Sequence, residues 1–483
     1  MKKLSVLLPL LLTFFFAKAQ YQDLHISLEA QGIATTNKVV PFWLRANQFG
    51  STPLSGTSGS LILKIRKDYD TTKTFGWAAS FEGRGNVGTN SEFILVEGFV
   101  KAHAGIFELK AGRSKEIVGL VDSTLSSGSF AVSGNALGVP KVSIGIPNYY
   151  SIPVLGKLFA IKAAFTNGYA GFEPRRNGTR LNDFKTYYLE NFLYGKIGKP
   201  GWRFNLEAGF NHEVLWGDEK KVFGSEFTLS TSEAYWYVVS GKVYDSSKVG
   251  NHLGSVDIGA EYRFDALTLK IYRQSFYDKG ALWSLANIKD GLNGVSLTNN
   301  SAEHGKFYWR KILFEVLYTA NQAGTLQSKT TESGAEDYYN NYQYAQGWSY
   351  RYFGLGTPFI TTIYDARSDA NRAVNQFFLN NRLYAFHVAT QFDAFNWAYT
   401  FKSSFSHNMG TYASGSEPYR SVKHIEYPPK DKAFKAVNQL SLYLSGLKAL
   451  RNGYSVGYDL GYDHGELLYN SFGVILKVSK TFL

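Results

Sequence analysis

The chain has 483 residues and carries 51 Lys and Arg against 39 Asp and Glu, a formal net charge of +12 at pH 7. With 44% hydrophobic residues, 36 Phe, 33 Tyr and 9 Trp, it is no disordered, collagen-like or coiled-coil polymer. It contains no cysteine, which excludes a disulfide framework and a thiolate metal site.

In chain order, Lys2 and Lys3 precede an apolar run from Leu4 to Phe16 that ends in Ala17-Lys18-Ala19. This predicts a secretory signal peptide over 1–19 and an exported mature chain of one domain over 20–483, without lipid because Gln20 stands where a lipoprotein has cysteine. After residue 20 no apolar stretch approaches the roughly 18 residues of a membrane helix. An exported chain with dispersed positive charge gives no reason to expect nucleic acid.

The dominant pattern in the mature chain is alternation. Phe75, Trp77, Ala79 and Phe81 oppose Gly76, Ala78, Ser80 and Glu82; Trp202, Phe204, Leu206, Ala208 and Phe210 oppose Arg203, Asn205, Glu207, Gly209 and Asn211. The same period runs through Val256–Tyr262, Trp397–Phe405, Tyr454–Tyr462 and Phe472–Val478. Period two places successive side chains on opposite faces of a strand. Segments of about ten residues, with aromatics at the ends of the apolar face and Gly, Ser and Asn opposite, suit a tilted strand crossing a bilayer. The fold class expected is all-β, a transmembrane antiparallel barrel of roughly 16 to 18 strands. The surplus residues form long loops, with candidates at 173–183, 328–352, 366–373 and 415–435, and short helices at 115–126, 232–239 and 282–288.

Motifs of soluble enzymes fail on context. Gly83-Arg84-Gly85-Asn86-Val87-Gly88 has dinucleotide-binding spacing, but a strand comes next where a helix N-terminus must receive the phosphates. Gly453-Tyr454-Ser455-Val456-Gly457 lies inside an alternating strand, not at a strand-to-helix elbow. His212-Glu213 has Trp216, not histidine, four residues on. The sequence therefore supports neither catalysis nor a metal or cofactor site. Basic aromatic loop segments are the better functional candidates: guanidinium and ammonium groups attract acidic sugars, and rings stack on sugar faces. The residues expected to touch glycan are Arg175, Arg176, Trp348, Tyr350, Arg351, Arg420 and Lys423.

Several blocks also resemble one family. Pro41-Phe42-Trp43-Leu44-Arg45-Ala46-Asn47-Gln48-Phe49-Gly50, Gly112–Glu116, Asp122–Ser129 with Ser133–Ala136, Asn251–Ser255, Tyr272-Arg273-Gln274, Asp290–Gly294, Asp337–Asn341, Gly347–Tyr350 and Gly356-Thr357-Pro358 are similar, in order, to the capsule assembly protein Wzi family in its Bacteroidetes-type form. The resemblance implies a barrel of about 18 strands in the outer membrane, with a small periplasmic helical element to which 115–126 contributes. It further implies a non-enzymatic, lectin-like role in attaching exported capsular or extracellular polysaccharide to the cell surface. Lipopolysaccharide and the export machinery are the further partners expected. The alternative is a porin-like channel for anionic solutes, favoured by polar inner faces and net positive charge.

Overall fold

A computed structural model describes residues 23–89, 91–177, 180–245, 247–302, 305–325, 335–370, 376–415 and 433–482. The expected signal peptide lies outside them. The described chain folds into one closed antiparallel barrel of eighteen strands. These are β1 (Leu24–Thr35), β2 (Ser58–Lys67), β3 (Phe75–Val87), β4 (Glu92–Ala104), β5 (Phe107–Arg113), β6 (Lys141–Ser151), β7 (Phe159–Asn177), β8 (Arg180–Ile197) and β9 (Phe204–Trp216). They continue as β10 (Asn251–Arg263), β11 (Leu267–Tyr277), β12 (Gly291–Asn299), β13 (Phe307–Tyr318), β14 (Leu383–Ala394), β15 (Trp397–Asn408), β16 (Val437–Ala449), β17 (Tyr454–Gly465) and β18 (Ser471–Thr481). Each strand pairs with its neighbours in sequence, and β18 closes the ring on β1 from Ser27↔Thr481 to Thr35↔Gly473. Closure leaves no unpaired edge, the condition for spanning a bilayer with strands.

The alternation read from the sequence is the division between lipid and lumen. Phe75 (73% exposed), Trp77 (57%) and Ile258 (56%) project outward, whereas Asn205, Glu207, Asn211 and Asp257 point inward and are buried. Exposed aromatics at the turn end, among them Phe75, Phe107, Phe159, Phe204, Phe307 and Tyr454, form the girdle expected at a membrane interface. The turns at this end are short, and both ends of the barrel sheet lie there; the opposite end carries the long connections.

Those connections fold back into the lumen. Segment 114–140, between β5 and β6, descends inside the barrel and replaces lumen water with fixed partners. Asp257 on β10 accepts from Leu120 N (2.9 Å), and Glu315 on β13 accepts from Ser127 N (2.6 Å) and Ser126 Oγ (2.8 Å). His387 on β14 bonds through Nε2 to the Leu125 carbonyl (2.7 Å), and Lys311 pairs with Asp122 (2.7 Å). Hydrogen bonds to charged groups contribute about 1.5–3 kcal/mol each. The expected helix at 115–126 does not form: Lys115 N, Leu120 N and Asp122 N bond to Glu97, Asp257 and Tyr272 on the wall, and only a single turn closes on Asp122, which takes Thr124 N, Leu125 N and Ser126 N. Gly119, at φ +119°, would bring a Cβ within 2.2 Å of Gln274 on the wall, so only glycine permits this approach.

A second inward segment carries helix α1 (Phe42–Arg45): Phe42 N donates to Asp463 (2.7 Å) and Trp43 Nε1 to Ser404 (3.1 Å), both on the inner wall. The 335–366 stretch joins them, with Tyr339 OH bonded to the Phe130 carbonyl and accepting from Thr357 N (2.9 Å). Together these segments form a continuous apolar core inside the barrel that includes Phe42, Leu125, Phe130, Tyr339 and Trp348. A small helical element is present between β9 and β10 as α2 (Glu219–Phe223) and α3 (Thr231–Ser240), with a small core of its own around Val214, Phe227 and Val238. It lies at the end of the long connections, opposite the short-turn end where a periplasmic element is expected, and 115–126 is not part of it. Helix α3 begins at a capping box, Ser230 with Glu233. The expected helix at 282–288 is a single 3₁₀ turn, Ala281–Ser284.

Candidate functional site

The hairpin β7–β8 rises past the barrel rim. β6 pairs with β7 only to Gly168 and β9 meets β8 only from Tyr187, so 171–177 and 180–186 pair with each other beyond the barrel wall, joined by one further bridge from Arg175 to Tyr344. This two-stranded arm occupies most of the expected 173–183 loop. It is tied to the 335–366 connection by Ala345 N to Pro174 O (3.0 Å) and Arg176 N to Gln343 O (2.8 Å). Arg175 is the clamp beneath: its guanidinium lies 4.3 Å over the Tyr344 ring and donates to Thr186 Oγ1 (2.9 Å) and to the Gly217 carbonyl.

Beside the arm stands a small hairpin, Ser349–Tyr350 paired with Phe353–Gly354. Its root is buried: Trp348 Nε1 donates to Ala131 O (2.8 Å), and the Tyr350 hydroxyl accepts from Arg113 Nη2 (2.9 Å). Its tip is Arg351-Tyr352, with φ of +50° and +69°. Two successive left-handed residues that are not glycine cost about 1–2 kcal/mol each, so packing at the root holds a strained tip outward. Strain of this kind clusters at binding sites.

From the tip a polar aromatic row crosses the long-connection end. The exposed Tyr352 ring lies 5.5 Å from Tyr364, edge to face, and Tyr364 lies 5.8 Å from Phe377. Arg367, half-buried and ion-paired with Asp369 (2.5 Å), follows in the chain, its backbone N bonded to Leu467 O (3.0 Å), while Ser368 N donates to the Tyr469 hydroxyl (2.9 Å). Asp365 anchors this turn by pairing with the buried Arg45. On the arm, burial and the charge of Asp183 push the Glu173 carboxyl up to about 7, with Arg175 and Arg351 pulling it back, so Glu173 and the hairpin tip share one electrostatic environment. The row offers exposed rings and guanidinium groups, the chemistry that grips sugar faces and acidic substituents. Among the described residues no group of three or more His, Asp or Glu is arranged to hold a metal ion.

Of the residues expected to contact glycan, Arg176 and Arg351 are exposed at this end, the first on the arm and the second on the hairpin tip. Arg175, Trp348 and Tyr350 are buried beneath them and engaged in the internal bonds of the arm and the hairpin root. Arg420 and Lys423 lie outside the described residues. Tyr352, Tyr364, Arg367 and Tyr469 are not singled out by sequence: Tyr352 adjoins Arg351 and is within reach of it, whereas nothing local to Tyr364 or Tyr469 separates them from other loop tyrosines.

Residues 31–377 match the family described as capsule assembly protein Wzi. Among solved structures, Wzi of Escherichia coli, an outer-membrane protein involved in group 1 capsule assembly and a carbohydrate-binding β-barrel, is 12% identical with a TM-score of 0.55; the match covers 94% of this chain and 83% of that one. OccD3 of Pseudomonas aeruginosa is 9% identical (TM-score 0.44, covering 96% and 92%) and OccAB2 of Acinetobacter baumannii 10% identical (0.46, covering 96% and 99%). No curated protein matches the chain.

Proposed function

The chain belongs to the capsule assembly protein Wzi family and is an outer-membrane β-barrel, and from that premise we propose that it binds an exported capsular or extracellular polysaccharide and helps attach it at the cell surface. Bacterial outer-membrane barrels keep short turns on the periplasmic side and long loops outside. By that rule the arm, the Arg351-Tyr352 tip and the row to Tyr469 face the exterior. The carbohydrate binding of the E. coli barrel supports the reading. The single observation that carries it in this chain is the strained, exposed Arg351-Tyr352 tip held out by a buried root. The role is binding without catalysis: contacts of about 1 kcal/mol from each ring or guanidinium, repeated along a polymer, accumulate by avidity.

The test is a glycan array probed with detergent-solubilised protein, then repeated with Arg351→Ala combined with Tyr352→Ala. The double variant is expected to weaken binding of the selected polysaccharide about tenfold and to shed polymer from cells that carry it. Undiminished binding and full surface retention would remove the site from consideration.

A further inference from the structure

The outer wall of a barrel is convex, yet here it carries a groove of about 900 Å³. Its floor runs along a row of directly opposed partners across five strands: Ile161 opposite Gly195, Gly195 opposite Ala208, Ala208 opposite Ile258, and Ile258 opposite Arg273. Neighbouring strands lie about 4.8 Å apart, so the row spans about 19 Å. Gly195 and Ala208 leave the floor low, while Ile197, Leu206 and Ile271, each about half exposed, stand as its banks. Lys196 and Glu207 also border the groove, but they pair with each other (3.3 Å) on the lumen side of the wall. The lipid-facing side chains are apolar except toward one end, and that exception identifies the occupant.

At that end sits Arg273, on the lipid-facing side of β11 and close to the rim, since it pairs with Asn293, the third residue of β12. Its guanidinium donates to Asn293 Oδ1 (2.8 Å), Ser275 Oγ (3.2 Å) and the carbonyl oxygens of Asp290 (3.0 Å) and Ile288. All four acceptors are neutral. The nearby Asp290 carboxylate is turned to Asn321 N (2.9 Å), Gln322 N (2.7 Å) and the Tyr338 hydroxyl (2.7 Å). An arginine on the lipid face is destabilising by an amount that shrinks toward the interface, and here its charge has no carboxylate partner among the ion pairs of the described residues. A greasy channel leading from an uncompensated cation at the rim matches an amphiphile with apolar chains and an anionic head.

We propose that this groove binds a phosphorylated lipid of the outer leaflet, its acyl chain lying along Ile161–Gly195–Ala208–Ile258 and its phosphate on Arg273. The site is on the opposite side of the wall from the lumen and away from the glycan row, so it stands or falls independently of polysaccharide binding. Four of the five N–H groups of Arg273 are held by these neutral acceptors, which fixes the guanidinium in place and leaves one N–H and the uncompensated charge for the phosphate.

The test is native mass spectrometry of the full-length mature protein in detergent micelles, incubated with lipid A or with diacylglycerol as a headless control, and repeated with excess inorganic phosphate. The wild type is expected to retain one lipid A, to ignore diacylglycerol and to keep its lipid against free phosphate. Arg273→Gln and, separately, the groove-filling Ala208→Trp should each retain about tenfold less lipid A at equal concentration, with folding checked by heat-modifiable gel mobility. Equal retention by folded Arg273→Gln, equal uptake of diacylglycerol, displacement by inorganic phosphate, or a protein dimer without a lipid adduct would each overturn the proposal.

Discussion

Neighbouring side chains on a strand leave on opposite faces, and in the arm this sends Arg175 under the 335–366 connection while Arg176 goes to solvent. Glu173 is on the same face as Arg175, which explains a carboxyl raised to about 7 by burial and by Asp183. Proton linkage sets the sign: the native state binds the proton more tightly than the unfolded chain, so the contribution to stability is complete below the usual carboxylate range and is lost as pH rises toward 7. Ionised Glu173 also adds negative charge beside Arg351. Binding of an acidic polysaccharide is therefore expected to weaken as pH is raised through 7, and Glu173→Gln should flatten that dependence; a titration of affinity against pH for both proteins checks it. The basic loop residues stand out in the sequence through charge and aromatic company. Their division into buried clamp and exposed side chain is hidden there because the arm is a strand pair that the sequence disguises with Pro174 and polar residues.

The strands are legible because each strand's lipid face is set by its own residues, as in Phe204, Leu206, Ala208 and Phe210. The inward segments are not, because their partners are far along the chain: Leu120 meets Asp257, Ser127 meets Glu315 and Phe42 meets Asp463. Taken alone, 115–126 has the composition of a short helix; the distant competing acceptors come from the wall, while the Asp122 carboxylate captures Thr124 N and Leu125 N locally. Glu315 is the strongest single case. It takes Ser127 N, Ser126 Oγ and the Tyr272 hydroxyl. Glu315→Ala strands these donors in a dry site, at a cost of about 3 kcal/mol or more, whereas Glu315→Gln keeps one acceptor oxygen. Melting in detergent, monitored by near-ultraviolet circular dichroism, should show a clear loss for alanine and a smaller one for glutamine. Equal melting of all three proteins would mean that segment 114–140 is not held through this residue.

At the scale of the whole molecule, a barrel of eighteen strands is wide enough for an aqueous channel, and the chain fills much of that width with its own connections. The inward segments bring an apolar core that includes Leu125, Phe130 and Trp348 to the middle of the lumen. Apolar packing of that kind works against the polar path a diffusion channel requires. It also supplies the rigid base from which the Arg351-Tyr352 tip projects, since Trp348 bonds Ala131 and Tyr350 accepts from Arg113 on the wall. The same segments thus fill the lumen and present the tip. Removing 117–137 and closing the gap with a short turn separates the two readings in planar bilayers. The intact protein is expected to give no steady conductance, and the deletion a large one together with loss of polysaccharide binding. A steady open conductance from the intact protein would favour the porin-like channel, because the inward segments would then leave a water-filled path beside them.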